Sequence, residues 1–513
     1  MTPNLKWLLA ILLVFLFPLF SQAKPPNVII IMTDDQGYGD LSCHGNPILK
    51  TPHLDELHAE SIRFTNFHVS PFCTPTRAAL MTGRYPGKTG AYRTSSGRTM
   101  LHRDEETIAE VFSANGYATG MVGKWHLGDN APHRPQDRGF DHVVWHRCGG
   151  IGQASDYWGN DYFDDVYEKN GTFEQFEGYC TDVWFEESMK FIESRRDEPF
   201  FLYLALNAPH GPFRVGKEWS DPYRAKIRWR GGPEFYGMVA NFDHNVGRLR
   251  EKLDKLELSE DTILIFLTDN GTSNGAVFGE DRLNSEARMG FNAGMRGKKS
   301  SVYEGGHRVP FFLHWPAGGM AGGRDVKALA AHLDVLPTLT DLCGFGGSER
   351  ENIDGRSFAS LLRDLERESH RDHLIIQFQG GAGFSEAPKA WEYTCIAQDQ
   401  WRLINGADLY DLRDDPAQRN NIAGKHPEKV TELRSFYSAF WDEVSARMTP
   451  VSIDIGNPAE NPTVLCSQDW YLPNGNPPWN FGSISRLPRV TGPWKVNVEK
   501  AGLYRLTLRQ FPE

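Results

Sequence analysis

The chain has 513 residues, 40% of them hydrophobic and 24% charged, which is a globular make-up too long for a single hydrophobic core. Its formal net charge of −11 excludes a general nucleic-acid or polyanion-binding surface, while leaving room for a local pocket that holds a small anion. Its seven cysteines, Cys43, Cys73, Cys148, Cys180, Cys343, Cys395 and Cys466, form no CxxC pair, so neither a zinc site nor a thioredoxin-like motif has support.

The N-terminus reads as a secretory leader. Lys6 is followed by the apolar run Trp7 to Phe20 and by the small-x-small pattern Ser21-Gln22-Ala23. The run is short for a membrane span, so the expectation is cleavage near Lys24, an exported (periplasmic or secreted) protein and no stable membrane anchor. Export permits disulfides. The odd cysteine count leaves at least one thiol outside any pair, and Cys73 is the candidate.

Asn27 to Met32 is a β-branched run that predicts a strand buried on both faces, ending in Thr33-Asp34-Asp35. Thr51 to Leu57 reads as a capped helix start. Cys73-Thr74-Pro75-Thr76-Arg77 opens a helix-compatible run that closes at Thr82-Gly83-Arg84. A cysteine there is either a buried thiol or a nucleophile at a helix N-terminus, with Arg77 one turn along to reach back to an anion. A helix over Glu106 to Ala114 leads into a second strand, Tyr117 to Val122, and then Gly123-Lys124-Trp125-His126. Residues 140 to 180 show no clean periodicity and predict a long functional loop, rich in Gly, Asp, Asn and aromatics (Trp145, Trp158, Tyr162, Phe163). A helix over Phe185 to Arg195 precedes the strand Phe200 to Leu206, which runs into Asn207-Ala208-Pro209-His210. A helix over Tyr236 to Leu256 precedes the strand Thr262 to Leu267, which runs into Thr268-Asp269-Asn270-Gly271. Phe311 to Trp315 is one more strand.

Beyond about residue 365 the pattern changes. Short strands at His373–Phe378, Tyr393–Ala397, Trp401–Ile404 and Asp408–Asp411, then a helix over His426 to Met448, predict a small α+β subdomain. From about 451 the chain is rich in Pro, Asn, Gly and Trp. Alternation over Trp494–Val498 and Tyr504–Arg509, with Ala501-Gly502 between, predicts a hairpin in a β-rich tail that wraps the rest. The expected division is a leader at 1–23, a catalytic domain at 24–365, a subdomain at 366–450 and an appendage at 451–513.

Alternating strands and helices predict an α/β fold with a mostly parallel sheet, whose sites lie beyond the carboxyl ends of the strands. Asp34, Asp35, Lys124, His126, His210, Asp269 and Asn270 all fall there. Asp34 and Asp35 repel one another unless a cation joins them. With Asp269 and Asn270 they make an all-oxygen set suited to Ca²⁺ or Mg²⁺. Lys124 and His126, two apart, point the same way if their strand continues. His210 in its Pro-framed turn can act as a general acid. The basic loop Arg296 to Pro310 has glycine pairs that permit close approach, and one of its lysines can reach an oxyanion.

These stretches resemble the sulfatase family of the alkaline-phosphatase-like superfamily. The segment from Cys73 to Arg84 resembles the family's C-x-P-x-R signature, and Gly116 to His126 resembles its second signature. Asp34-Asp35, His210, Asp269-Asn270, Tyr303 to Pro310 and Leu409 to Leu412 follow in family order, covering about residues 27 to 440. The resemblance implies that a maturation enzyme converts Cys73 to formylglycine, the nucleophile toward a sulfate ester. It implies that one Ca²⁺ is held by Asp34, Asp35, Asp269, Asn270 and residue 73. It further implies that Arg77 positions residue 73, Lys124 and Lys299 (with Lys298 as fallback) bind sulfate oxygens, His126 assists sulfate release, and His210 protonates the leaving alcohol. Two features depart from the pattern: Thr74 stands where Ser is more usual, and no residue in 140 to 180 can be matched to the family's mid-chain sulfate contact.

The expected function is an exported sulfatase acting on a sulfated carbohydrate, with the aromatics at 145 to 163 offered to sugar faces. Two alternatives stand beside it. One is a phosphonate or phosphate ester hydrolase of the same superfamily; the other is a non-catalytic glycan-binding protein on the same scaffold.

Overall fold

The computed structural model describes residues 24–94, 100–227, 229–274, 290–346, 352–363, 371–379, 388–472 and 476–509. The leader at 1–23 lies outside the described residues. Among those residues no helix is long and apolar enough to cross a membrane.

In chain order, β1 (Asn27–Thr33), β2 (Ile62–Phe64), β3 (Phe67–His68), β4 (Ala118–Lys124), β5 (His142–His146), β6 (Val166–Lys169), β7 (Thr172–Gln175), β8 (Phe200–Ala205), β9 (Thr262–Thr268), β10 (Phe311–His314) and β11 (Arg324–Val326) supply the main body. All but β3 join one ten-stranded sheet in the order β11-β2-β10-β9-β1-β8-β4-β5-β6-β7. Its middle, β9-β1-β8-β4-β5, is parallel throughout. Antiparallel strands extend it on both sides: β10 against β9, and the β6–β7 hairpin against β5.

Strand β1 shows why the sheet must be sandwiched. Val28, Ile30 and Met32 face one core, with residues of the helices Cys73–Thr82, Ile108–Ala114 and Val335–Leu342. Ile29 and Ile31 face the other, with the helices Pro52–Glu60, Cys180–Ser194 and Gly232–Lys255. All seven residues of the strand are buried, as a parallel strand covered on both faces requires.

The region predicted as a loop is more ordered than its composition implied. It holds β5 and the β6–β7 hairpin, whose turn Asn170-Gly171 has positive φ at both residues (49° and 87°). The helix predicted from Phe185 begins at Cys180, because Cys180, Thr181, Val183 and Trp184 are buried against the sheet. Trp145 and Tyr162, expected to face a sugar, are core residues at 0% and 1% exposure.

A second, four-stranded antiparallel sheet, β13 (Leu374–Gln377), β14 (Thr394–Gln398), β15 (Trp401–Ile404) and β16 (Asp408–Asp411), carries the helix Pro427–Val444. Between the two sheets lies a small parallel pair, β3 with β12 (Ala330–Ala331). The tail differs from the predicted hairpin. Strand β17 (Ile453–Ile455) pairs in parallel with β18 (Val496–Val498), and 504–509 is exposed and outside any strand. The alternation at 504–509 lacked a partner to bury one of its faces. Between β17 and β18 the tail lies across the main body: Glu460 accepts from Asn130 Nδ2 and the Ala131 amide, and Trp479 O accepts from the Ala154 amide.

Candidate active site

The parallel middle strands deliver their polar ends to one edge of the sheet. Strand β1 ends at Asp34 and Asp35, β4 at Lys124, β8 runs on to His210, and β9 ends at Asp269 and Asn270. The helix Cys73–Thr82 begins at the same edge, with Cys73 as its first residue and 2% exposed.

The carboxylates are tightly held. Asp34 Oδ2 accepts from Lys124 Nζ at 2.7 Å, with both side chains fully buried. Asp35 Oδ1 accepts from Asn270 Nδ2 at 2.9 Å and pairs with Lys299 Nζ at 2.6 Å, while its Oδ2 is 3.8 Å from His210 Nε2. Asp269 Oδ1 accepts from the Asp35 amide at 3.1 Å. Arg77 differs from the expected arrangement. Its hydrogen bonds do not run back to Cys73: Nε and Nη2 donate to Asp269 Oδ2 (3.2 and 2.9 Å), and Nη1 donates to Lys124 O at 2.9 Å. It braces the carboxylate beside the cysteine and the strand end that carries Lys124.

Strand β4 stops at Lys124, so the expected alternation does not aim His126. A left-handed backbone (φ 61°) turns it into the cleft instead, where both ring nitrogens are buried without a protein partner. The basic loop is brought in by close backbone approach. A Cβ on Gly271 would sit 1.9 Å from Gly305 O, the Gly271 amide donates to Gly306 O, and the Lys299 amide donates to Thr272 O. Lys299 is thereby the lysine on Asp35, whereas Lys298 Nζ faces Ser273 O.

The groups at this edge do not shift alike: burial would raise Asp35, yet Lys299 and His210 pull it well below the usual carboxylate range. Burial pushes Asp34 up, against Lys124. Burial and the neighbouring Asp34 raise Asp269 to about 6, against Arg77 and Lys124. Burial raises the Cys73 thiol too, but Lys124 and Lys299 outweigh it and the net shift is downward. Burial, with Lys124 and Arg77, holds His126 well below its ordinary value. Burial lowers His210 to about 4, opposed by Asp35.

Two acceptors of these strand-end residues, Asp34 Oδ1 and Asn270 Oδ1, are buried with no hydrogen-bond partner. Ligand atoms of Asp34, Cys73 and Asp269 lie within 4.8 Å of one another, as do those of Asp34, Asp35 and His210. Orphaned oxygens and crowded carboxylates fit a hard divalent cation.

The sulfatase family profile matches residues 26–345, and the N-sulphoglucosamine sulphohydrolase C-terminal profile matches residues 296–436. Human arylsulfatase A is 32% identical over 467 residues, 80% of this chain and 87% of that protein. The N-acetylgalactosamine-6-O-sulfatase of Bacteroides thetaiotaomicron is 30% identical, over 80% of this chain and 92% of that one. The chain belongs to the sulfatase family. Among solved structures, Ps i-CgsB in complex with k-i-k-neocarrahexaose superposes with a TM-score of 0.71 at 27% identity, over 83% of this chain and 94% of that one. The protein is a sulfuric ester hydrolase with an α/β fold of the alkaline-phosphatase type.

Around Cys73 this sulfatase has an open cleft of about 490 Å³ whose lining holds residues that sequence reasoning did not single out: Arg93, Thr94, Gln153, Gln379, Tyr393, Asn476 and Trp479. Gln153 comes from the mid-chain stretch. Gly149 and Gly150 make its approach possible: a Cβ at 149 would meet the His126 ring at 2.4 Å, and one at 150 would meet Gln153 Nε2 at 2.8 Å. That glycine pair before a polar residue was the available signal, of the same kind as the pair at 305–306. Thr94 Oγ1 lies 3.6 Å from Cys73 Sγ and 3.5 Å from Thr74 Oγ1, so Thr74 has a polar role although the family more often has Ser there.

Proposed function

We propose that this sulfatase is exported, is matured at Cys73 to formylglycine, holds one Ca²⁺ and removes sulfate from a sulfated carbohydrate. The observation that carries the reading is the convergence of Cys73 Sγ, an Asp34 oxygen and an Asp269 oxygen within 4.8 Å, with Lys124 and Lys299 beside them. Residue 73 is a cysteine in this structure, and its Sγ stands for the attacking oxygen of the hydrated aldehyde. Asp34, Asp35, Asp269 and Asn270 would hold the cation. When bound it supplies positive charge against the charge developing on the sulfate oxygens and favours the ionised attacking hydroxyl.

The chain's own residues do the rest. Lys124 and Lys299 offer two ammonium groups to the sulfate oxygens, and Arg77 keeps Asp269 in place. His210 donates from Nδ1 to Gly211 O at 2.6 Å, which leaves Nε2 to carry the proton for the departing alcohol. An anionic sulfate beside that ring favours its protonated form. His126, kept neutral by burial and by Lys124, accepts a proton from residue 73 as sulfate leaves. Gln153 is the candidate for the mid-chain sulfate contact. The saccharide reading is supported by the volume of the cleft, by a relative named N-acetylgalactosamine-6-O-sulfatase and by a structural neighbour in complex with k-i-k-neocarrahexaose.

The test is side-by-side turnover of 4-nitrophenyl sulfate and 4-nitrophenyl phosphate by protein co-expressed with a formylglycine-generating enzyme. It is joined by a panel of defined sulfated oligosaccharides built on galactose, fucose, N-acetylhexosamine and uronate. Sulfate release is expected to exceed phosphate release. A preference for the phosphoryl ester would support the phosphonate or phosphate hydrolase, and turnover of neither would support a binding protein.

A further inference from the structure

The aromatics predicted to face a sugar do not line the cleft. Among the described residues that line it, the exposed aromatic side chains are Trp479 at 40% and Tyr393 at 41%. Trp479 and its neighbour Asn476 belong to the tail, beyond both matched family regions at 26–345 and 296–436.

The tail reaches the cleft by a specific fastening. The Ala154 amide donates to Trp479 O at 2.8 Å, the Phe481 amide donates to Gly152 O at 3.0 Å, and Asn480 bridges to Gln153. The Phe481 ring packs on Trp158 with centroids 4.5 Å apart. Trp479 is therefore fixed through its backbone to the segment that carries Gln153, while its indole is left open to the cleft. A large indole costs free energy when left in water. Tyr393 lies in the turn just before β14 of the other sheet. Its ring stacks on Phe378 (4.6 Å, 23°), and its backbone is left-handed (φ 44°), a costly state for a bulky residue that only a well-determined surrounding maintains.

We propose that the tail completes the saccharide site. Trp479 packs its face against the C–H face of a pyranose ring next to the sulfated unit, with Tyr393 as the second aromatic surface and Asn476 as a hydroxyl contact. This rests on the sulfatase reading above and deepens it. The cleft binds more than the sulfate and its own sugar, so remote binding energy from the adjoining ring contributes to desulfation.

The experiment measures kcat and KM of matured protein on 4-nitrophenyl sulfate and on the best substrate of the oligosaccharide panel. Trp479→Ala is expected to lower kcat/KM on the oligosaccharide about tenfold, mainly through KM, and to leave the aryl ester within about twofold. Trp479→Phe restores most of the loss, and Asn476→Ala shows a smaller effect of the same kind. Equal losses on both substrates would mean that the tail acts only on folding, and would overturn the proposal. Unchanged oligosaccharide kinetics in Trp479→Ala, or aryl sulfate turnover with no panel member desulfated, would also overturn it while leaving the sulfatase reading intact. Wild-type protein that releases sulfate from neither the aryl ester nor any panel member would instead sink the sulfatase reading itself.

Discussion

Arg77 shows how much of the site rests on one buried cation. Its side chain and that of Asp269 are both fully buried, and the guanidinium also holds the carbonyl of Lys124. Breaking a buried pair leaves an uncompensated charge at a cost of about 3–5 kcal/mol. Arg77→Met is accordingly expected to lose stability of that order in denaturant unfolding, and to lose sulfate turnover as well. A variant as stable as wild type would contradict the bracing role. From sequence, Arg77 read as a partner of the residue one turn before it, because helical spacing is visible there and a contact with Asp269, 192 positions away, is not. The strand-end groups Asp34, Asp35, Lys124, His210, Asp269 and Asn270 were legible for a physical reason: parallel strands must present their carboxyl ends at one edge. Lys299 was preferred to Lys298 through its spacing of five before Glu304 in the family resemblance, and the turn that Gly271 and Gly305 permit sets it on Asp35. Gln153 depended on two glycines whose purpose appears only with His126 beside them.

At the scale of elements, the stretch 140 to 180 was the hardest to read. Its hairpin had a usable signal, Asn170-Gly171 between alternating residues, masked by the polarity of strands at the sheet's edge, where β7 is exposed along its length. The loop before it is held by Asp156, which accepts from the Gly152 amide at 2.9 Å and from Asn160 Nδ2. Burial raises Asp156 to about 8, against those hydrogen bonds. The folded chain therefore keeps a proton that the unfolded chain releases near the ordinary value of 3.8. Its contribution to stability is whole below that value and is lost as pH rises toward about 8. The melting temperature of wild type is expected to fall more steeply between pH 4 and pH 8 than that of Asp156→Asn. Parallel profiles for the two proteins would refute this. The same loop carries Gly152 and Ala154, to which the tail is fastened, so the variant reports on tail docking as well.

Among the described residues the molecule has two cores on one sheet, a third under the small sheet, a small cluster of Tyr92, Val444 and Met448, and a tail laid across the main body. The small sheet is joined to the body by Arg402 Nε on Glu304 Oε1 at 2.7 Å, with both side chains 1% exposed. Burial would raise the Glu304 carboxyl, yet Arg402, His68 and His307 pull it well below its usual range. That stability is present above the ordinary carboxylate value and is lost as pH falls. Arg402→Met is expected to uncouple the small sheet, giving a second, earlier transition in calorimetry at neutral pH. A single unshifted transition would contradict that expectation. The layered order of this architecture was readable, since alternating apolar strands and amphipathic helices admit few arrangements. The course of the tail was not, because its contacts are backbone bonds to a distant loop, and a two-residue period alone does not supply the partner a strand needs.

The central claim is that residue 73, set among Asp34, Asp269, Lys124 and Lys299, is the nucleophile toward a sulfate ester. The direct measurement is the initial rate of inorganic sulfate release from 4-nitrophenyl sulfate by wild type and Cys73→Ala, both co-expressed with the formylglycine-generating enzyme. The expected result is a rate for Cys73→Ala lower by several orders of magnitude with the fold intact. Sulfate release by Cys73→Ala within about tenfold of wild type would contradict the account.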